Sequence, residues 1–355
     1  MSRNILITGG AGFVGSTLGL GLAERYPNWK ITALDNLKRR GSELNLSRLK
    51  RAGINFVHGD VRNLEDLDPS AFQPDAILEC SAEPSVLEGY TSPGYVVQTN
   101  LVGTINCLEL ARKTQADFIF LSTSRVYPIA YLNNLKYTEL ETRFQLLDIQ
   151  PYQGASAVGI AEDFPLDKPR SLYGSTKLAS ELLIAEYADA YKLRTIINRC
   201  GVLTGPWQMG KIDQGVFALW MVNHYFNKPL KYIGHGGSGK QLRDFLHVAD
   251  LLDLLDLQIQ NLDDLQGQTF NVGGGATNTL SLYETTQLCQ EITGHQIPIE
   301  AIPETRLGDI PIFVTDSRKI EKITGWHPQR DAKRTLVDIY EWINKFEREV
   351  ADNFI

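Results

Sequence analysis

Tyr173 and Lys177, four residues apart in YGSTK, are the pair in this chain best suited to moving a proton. That spacing puts both side chains on one face of a helix, one turn apart. A phenol ionises at a pH of about 10 and is a poor base near neutrality. A neighbouring ammonium group, or any other positive charge, favours the phenolate and brings it into working range. The hydroxyl cluster Ser122-Thr123-Ser124 lies at the tip of a preceding apolar run, LSTS. A hydroxyl there can hydrogen-bond the oxygen whose proton Tyr173 takes or returns.

A second constellation opens the chain. The run NILIT leads into Gly9-Gly10-Ala11-Gly12-Phe13-Val14-Gly15 and then a helical stretch. Glycines at this spacing allow a tight turn and close approach of backbone to a pyrophosphate. The helix start, with Phe13, Val14 and Gly15, supplies free N–H groups and partial positive charge. About twenty residues later, Asp35 closes the second strand, where a carboxylate can accept from ribose hydroxyls. Its charge would repel a 2′-phosphate. Lys38, Arg39 and Arg40 act in the opposite sense but read as a solvated basic turn, so NAD is the expected dinucleotide. Asp60-Val61 ends the third strand, where an acid can meet the adenine amino group or cap a helix.

Short apolar runs alternate with helix-length amphipathic stretches and must position these residues. Strands are predicted at Asn4–Thr8, Ile31–Asp35, Asn55–His58, Ala76–Cys80, Phe118–Ser122 and Thr195–Asn198, and helices at Val14–Tyr26, Val97–Lys113 and Ser175–Tyr191. The alternation implies an α/β fold, a Rossmann-type doubly wound parallel sheet covered on both faces. The polar stretch from Tyr131 to Arg170 interrupts it, and a connection that long is usually functional. A helix at Gly215–Asn227, the Gly-rich HGGSGKQLRDF and a helix from Val248 follow. The expected organisation is a dinucleotide-binding domain over residues 1–204 and a smaller α+β substrate lobe over 205–355. A late strand near 269–273 is expected to rejoin the first sheet.

The bulk composition excludes several functions. With 43% hydrophobic and 22% charged residues, the chain can bury a core and is not disordered. The net charge of −7 offers no global attraction for nucleic acid or anionic membranes, so an anionic ligand needs local positive groups. Cys80, Cys107, Cys200 and Cys289 are scattered without a CxxC pair, and the six histidines lack ligand spacing, so no metal site is expected. The chain enters a strand at once and holds no membrane-length apolar run, so a cytoplasmic address is expected.

Taken together, TGGAGFVG, Asp35-Asn36, HGDVRN, TNLVGT, STSRVY, YGSTK and RDFLHVADL resemble the extended short-chain dehydrogenase/reductases that modify nucleotide sugars. The resemblance covers nearly the whole chain. It implies catalytic roles for Thr123, Tyr173 and Lys177. It implies cofactor contacts from Gly9, Gly12, Phe13, Val14, Gly15, Asp35, Asn36, Asp60, Val61, Asn100 and Ser122 as well as Tyr173 and Lys177. Substrate contacts would come from Thr123, Ser124, Arg243, Arg306 and Asp309, the two arginines clamping a diphosphate. Guanidinium groups fit phosphate oxygens bidentately, which an acidic protein needs. Without the family context, Arg243 beside Asp244 would read as a surface ion pair.

Within this family, 4,6-dehydratases carry an Asp-Glu pair directly after the catalytic threonine, whereas Ser124-Arg125 follows Thr123 here. That pattern implies an epimerase. The segments DNLKRRGSELNL, YTELETRF, GIAEDFPLDKPRSLYGSTK, KIDQGVFALW and TFNVGGGATNTLSL resemble the CDP-paratose 2-epimerases. Val202, at the place where 4-epimerases usually carry asparagine, argues against the UDP-hexose 4-epimerase alternative, and a non-catalytic dinucleotide-binding sensor or scaffold is a third reading. Pro128 stands where these families usually have glycine, which predicts a different path for that loop. The helices Val97–Lys113 and Ser175–Tyr191 could form the four-helix interface of a homodimer or higher homo-oligomer.

Overall fold

The computed structural model describes residues 2–209 and 215–354; residues 211–214, which open KIDQGVFALW, lie outside them. By packing, the chain divides into two units. The first holds Met1–Thr123, Leu172–Arg199 and Leu251–Phe270, and the second Ser124–Ser171, Cys200–Asp250 and Asn271–Ile355. A single boundary after residue 204 does not describe this division. Ser124–Ser171 packs with the second unit and Leu251–Phe270 with the first, because the chain crosses between them repeatedly.

In the first unit the apolar runs become β1 (Asn4–Thr8), β2 (Lys30–Asp35), β3 (Asn55–His58), β4 (Ala76–Glu79), β5 (Asp117–Thr123) and β6 (Thr195–Cys200), and the late run becomes β7 (Gln268–Val272). They form one sheet in the order β7-β6-β5-β4-β1-β2-β3. β1 pairs in parallel with β2 and β4, β2 with β3, and β4 with β5. This is the Rossmann-like sheet that the alternation implied, and the late strand does rejoin it. Strand order reverses between β1 and β4, which places a binding edge at the carboxyl ends of these strands.

Three helices deliver the polar residues of interest: α1 (Phe13–Arg25), α2 (Gly103–Thr114) and α3 (Leu172–Tyr191). Leu108 and Ala111 of α2 and Ile184 of α3 share a core cluster with Ile77, Phe118 and Phe120 of the sheet. Each such apolar side chain contributes roughly 1.5–3 kcal/mol when fully buried. The helix expected over Val97–Lys113 is not regular. Pro93–Val97 is followed by a π-helical turn at Gln98–Val102 before α2 begins. The opened turn coincides with the Asn100 carbonyl, which accepts from Thr104 Oγ1 at 2.8 Å and Ser180 Oγ at 3.1 Å. π turns of this kind concentrate at functional positions.

The second unit is built on a four-stranded sheet. Val202–Thr204 pairs in parallel with Leu242–His247, which also pairs with Thr279–Ser281 antiparallel and with Ile312–Phe313 in parallel. Phe217, Trp220, Met221, Leu336, Ile339 and Trp342 supply part of its helical core. The interrupting stretch is two small hairpins, Tyr137–Glu139 with Phe144–Leu146 and Ala155–Ser156 with Gly159–Ile160. Its anchor is Asn271, which donates to the Ile160 carbonyl at 2.8 Å and accepts from Tyr127 Oη at 2.7 Å. Pro128 directs the chain into a short helix, Ile129–Asn133. Among the described residues no helix is long and apolar enough to cross a membrane.

A reciprocal capping box starts the helix Leu282–Thr293. Ser281 Oγ accepts from Glu284 N, and Glu284 accepts from Ser281 N, both at 3.0 Å. The same hydroxyl donates to the Thr142 carbonyl at 2.7 Å. Ser281→Ala should therefore cost about 1–2 kcal/mol of stability, read as a lower denaturant midpoint at unchanged slope.

Candidate active site

The cofactor end follows from close packing. A Cβ on Gly15 would sit 2.3 Å from the Gly9 carbonyl oxygen, and one on Gly9, at φ +64°, would sit 2.9 Å from the Ser81 backbone. Only glycine lets the loop lie this tightly between β1 and the end of β4. Gly12 caps α1 without any side-chain hydrogen bond, and the first turn carries no acid. The helix therefore places its first-turn N–H groups, among them those of Phe13 and Val14, at the glycine loop, which suits a pyrophosphate.

Asp35 is buried and braces this loop. Its Oδ2 accepts from Ala11 N at 3.1 Å and Oδ1 from Leu37 N at 2.8 Å. Burial pushes its carboxyl up, against the pull of the N–H groups of Leu37, Ala11 and Gly12 and of nearby His58. Asn36 and Asp60 are brought together, Nδ2 donating to Oδ2 at 2.9 Å. Asp60 is held mainly by the hydrogen-bonded Arg62 guanidinium, which brings its carboxyl down to about 2. Asp60 is not a helix cap, since the 3-10 turn Leu64–Leu67 is preceded by Asn63. Val61 is buried beside Gly103. Lys38 rests over the Tyr95 ring at 5.6 Å and is exposed.

Around the Tyr173–Lys177 pair, Tyr173, Lys177, Ser122 and Thr123 are all buried. Lys177 Nζ lies 4.0 Å from the centroid of the Phe120 ring. Asn100, in the π turn, donates to Thr176 Oγ1 at 3.3 Å and to the Glu83 carbonyl at 3.0 Å. Ser122 Oγ donates to Glu181 Oε1 at 2.5 Å, so its hydroxyl serves α3. Arg199 of β6 clamps the same carboxylate through Nε and Nη2, the latter at 2.8 Å. This buried Arg199–Glu181–Ser122 group fixes α3 against β5 and β6, and sequence reasoning missed it. A signal existed, because Glu181 falls one turn beyond Lys177 on the helix face that carries Tyr173.

In the second unit, Ser124 opens a 3-10 turn, Ser124–Val126. Arg243 Nη2 donates to Asp309 Oδ1 at 3.2 Å and to the Ile310 carbonyl at 2.6 Å. Burial brings this guanidinium down to about 10. Asp244 is not its partner. That carboxylate is fully buried and accepts from Gly274 N at 2.9 Å, and burial pushes it up to about 6. The surface-pair reading of Arg243 and Asp244 therefore fails, because neighbours along a strand point to opposite faces. Arg306 is exposed on the loop that carries Asp309, and Arg125, unassigned from sequence, donates to Gly308 of that loop at 3.3 Å.

Residues 5–273 match the NAD dependent epimerase/dehydratase family. The chain belongs to that family. It is 31% identical over 350 residues to the CDP-paratose 2-epimerase of Salmonella typhi, covering 95% of this chain and 98% of that one. It is 26% identical over 350 residues to the dTDP-glucose 4,6-dehydratase of Salmonella typhimurium, covering 95% and 92%. The crystal structure of the Thermus thermophilus UDP-glucose 4-epimerase in complex with NAD has a TM-score of 0.77 at 25% identity, covering 96% and 99%. The protein is an enzyme of this family and its cofactor is NAD.

The uncapped N-terminus of α1, the glycine cradle and the buried Asp35 are the features such a cofactor requires. The register of α3 depends on Glu181. Glu181→Ala would remove the carboxylate that the buried Arg199 guanidinium clamps and should cost roughly 3–5 kcal/mol. Chemical denaturation should register that loss, with NAD affinity measured alongside it.

Proposed function

We propose that this enzyme inverts carbon 2 of a CDP-linked dideoxyhexose, converting CDP-paratose to CDP-tyvelose by transient oxidation. The observation that carries the reading is the likeness to the Salmonella typhi CDP-paratose 2-epimerase along almost the full length of both chains. Ser124-Arg125 after Thr123 supports it, since neither side chain can serve as the acid and base pair of a dehydratase. A second reading, inversion at carbon 4 of a UDP-hexose, draws on the fold likeness to the Thermus thermophilus enzyme.

In this scheme Gly9, Gly12, Phe13, Val14 and Gly15 hold the pyrophosphate, Asp35 and Asn36 the adenosine ribose, and Asp60 and Val61 the adenine. Asn100 and Ser122 shape the nicotinamide end. Bound NAD supplies a reversible hydride acceptor. Tyr173, as phenolate, takes the proton from the sugar hydroxyl, and Thr123 hydrogen-bonds the same oxygen as its carbon becomes a ketone. Lys177 favours the phenolate and holds the nicotinamide ribose. The keto-sugar then offers its other face, and Tyr173 returns the proton as the carbon is reduced. Arg243 and Arg306 carry the diphosphate, with Ser124 and Asp309 as polar contacts. A cytoplasmic homo-oligomer completes the proposal.

Turnover of CDP-paratose in heavy water tests the mechanism. Hydride that leaves and returns brings no solvent deuterium to carbon 2 in the product NMR spectrum, whereas proton abstraction beside a carbonyl would introduce it. Tyr173→Phe should abolish turnover while leaving NAD bound. Activity only on a UDP-hexose would overturn the substrate and keep the chemistry. Arg243→Ala should weaken nucleotide-sugar binding by roughly 2–3 kcal/mol in calorimetry, with NAD affinity nearly unchanged.

A further inference from the structure

Glu79 ends β4 inside the first unit, is fully buried and takes no part in the scheme above. Its register partners are Thr8 on β1 and Phe120 on β5. Paired residues of parallel strands point to the same face, so all three side chains lie under α2 and α3. Lys177 comes down onto that face over the Phe120 ring, close enough for its charge to act on Glu79. Cys107 of α2 is the other titratable neighbour, and burial holds its thiol neutral by pushing it up.

The hydrogen bonds around Glu79 count its protons. Thr104 Oγ1 lies 2.9 Å from Glu79 Oε1 and 2.8 Å from the Asn100 carbonyl oxygen. A hydroxyl has one hydrogen to donate, and a carbonyl can only accept. With Glu79 ionised, two acceptors would compete for that hydrogen. Ser81 also hydrogen-bonds this carboxyl and favours its ionised form, but Oε2 is buried with no hydrogen-bond partner among the described residues and would share the charge. A proton on Oε1 removes both conflicts, because Glu79 then donates to Thr104 and Thr104 donates to Asn100. Burial acts in the same direction and pushes Glu79 up to about 7, against the opposing pulls of Lys177 and of the Thr104 and Ser81 hydrogen bonds.

We propose that Glu79 is a positioning residue for the Tyr173–Lys177 pair, a buried carboxylic acid kept neutral so that the Lys177 ammonium acts on Tyr173 and is not cancelled by a carboxylate beneath it. The inference rests on Tyr173 and Lys177 being the proton-transfer pair. An ionised Glu79 would neutralise Lys177 and disfavour the phenolate; a neutral one leaves the field of Lys177 intact. The sign for stability follows. Glu79 titrates higher in the folded chain than its ordinary 4.5, so its contribution is present below that value and is lost as pH rises through about 7.

Glu79→Gln keeps the shape and a donor to Thr104 but never ionises. Infrared difference spectra of the full chain at pH values around 6 should show a protonated-acid carbonyl band that Glu79→Gln lacks, a readout that needs neither sugar nor turnover. With NAD added, the ultraviolet phenolate titration of Tyr173, taken as the difference from Tyr173→Phe, should coincide in wild type and Glu79→Gln below about pH 7, where both side chains are neutral, and should run further towards phenolate in Glu79→Gln only above it, where the wild-type carboxyl ionises. The wild-type melting temperature should fall relative to the variant as pH passes 7. Should Glu79→Gln fold poorly, Thr104→Val removes the acceptor of the Glu79 proton and should shift the band. No such band, or identical Tyr173 titrations with the band present, would overturn the proposal. A Tyr173→Phe enzyme that still turns over would overturn the scheme of the preceding section and leave the Glu79 band standing.

Discussion

The forked contact of Arg199 on Glu181 governs where α3 can lie on the sheet. Both side chains are buried, and a buried ion pair is tolerable only when nearly every donor and acceptor in it is served. Ser122 contributes a further hydrogen bond from the strand that ends in Thr123. A slide or rotation of α3 by a fraction of a turn would expose a charge to apolar surroundings. That penalty holds Lys177 one turn away, and Tyr173 two turns away, at fixed height beside β5. The placement of the pair is thus set by a contact further along the same helix.

The same economy recurs at the dinucleotide end, where groups suited to a ligand first serve the fold. Asp35 accepts from the backbone N–H groups of Ala11 and Leu37 and so holds the glycine loop. Asp60 is committed to Arg62 and Asn36. What the fold leaves open is the N-terminus of α1, where Gly12 provides no cap and no acid stands in the first turn. The N–H groups of that first turn, more than the carboxylates, suit an anion. In the second unit, internal carbonyls and Asp309 likewise orient the Arg243 guanidinium.

Much of this could be read from the chain alone, because it depends on spacing shorter than a helical turn or a strand. Apolar runs such as NILIT and FIFLS are strands buried on both faces, and their alternation with helices forces parallel pairing. The glycine spacing from Gly9 to Gly15 and the Tyr173–Lys177 interval are local geometry and survive unchanged in the fold. Partnerships between residues far apart in sequence were not legible. Glu181 finds Arg199 and Ser122, and Asn100 finds Thr176, only because α3 crosses strands that the sequence leaves unordered. Arg243 turns from Asp244 to Asp309 because adjacent strand residues face opposite ways and one of those faces is core. Ser124–Ser171 carries no strong periodicity, so its hairpins and its place in the second unit emerge only when Asn271 and Val314 supply partners for its backbone. Sequence determined which groups the chain could bring to a site; tertiary packing decided which of them met, and, for Glu79, in what charge state burial would hold it.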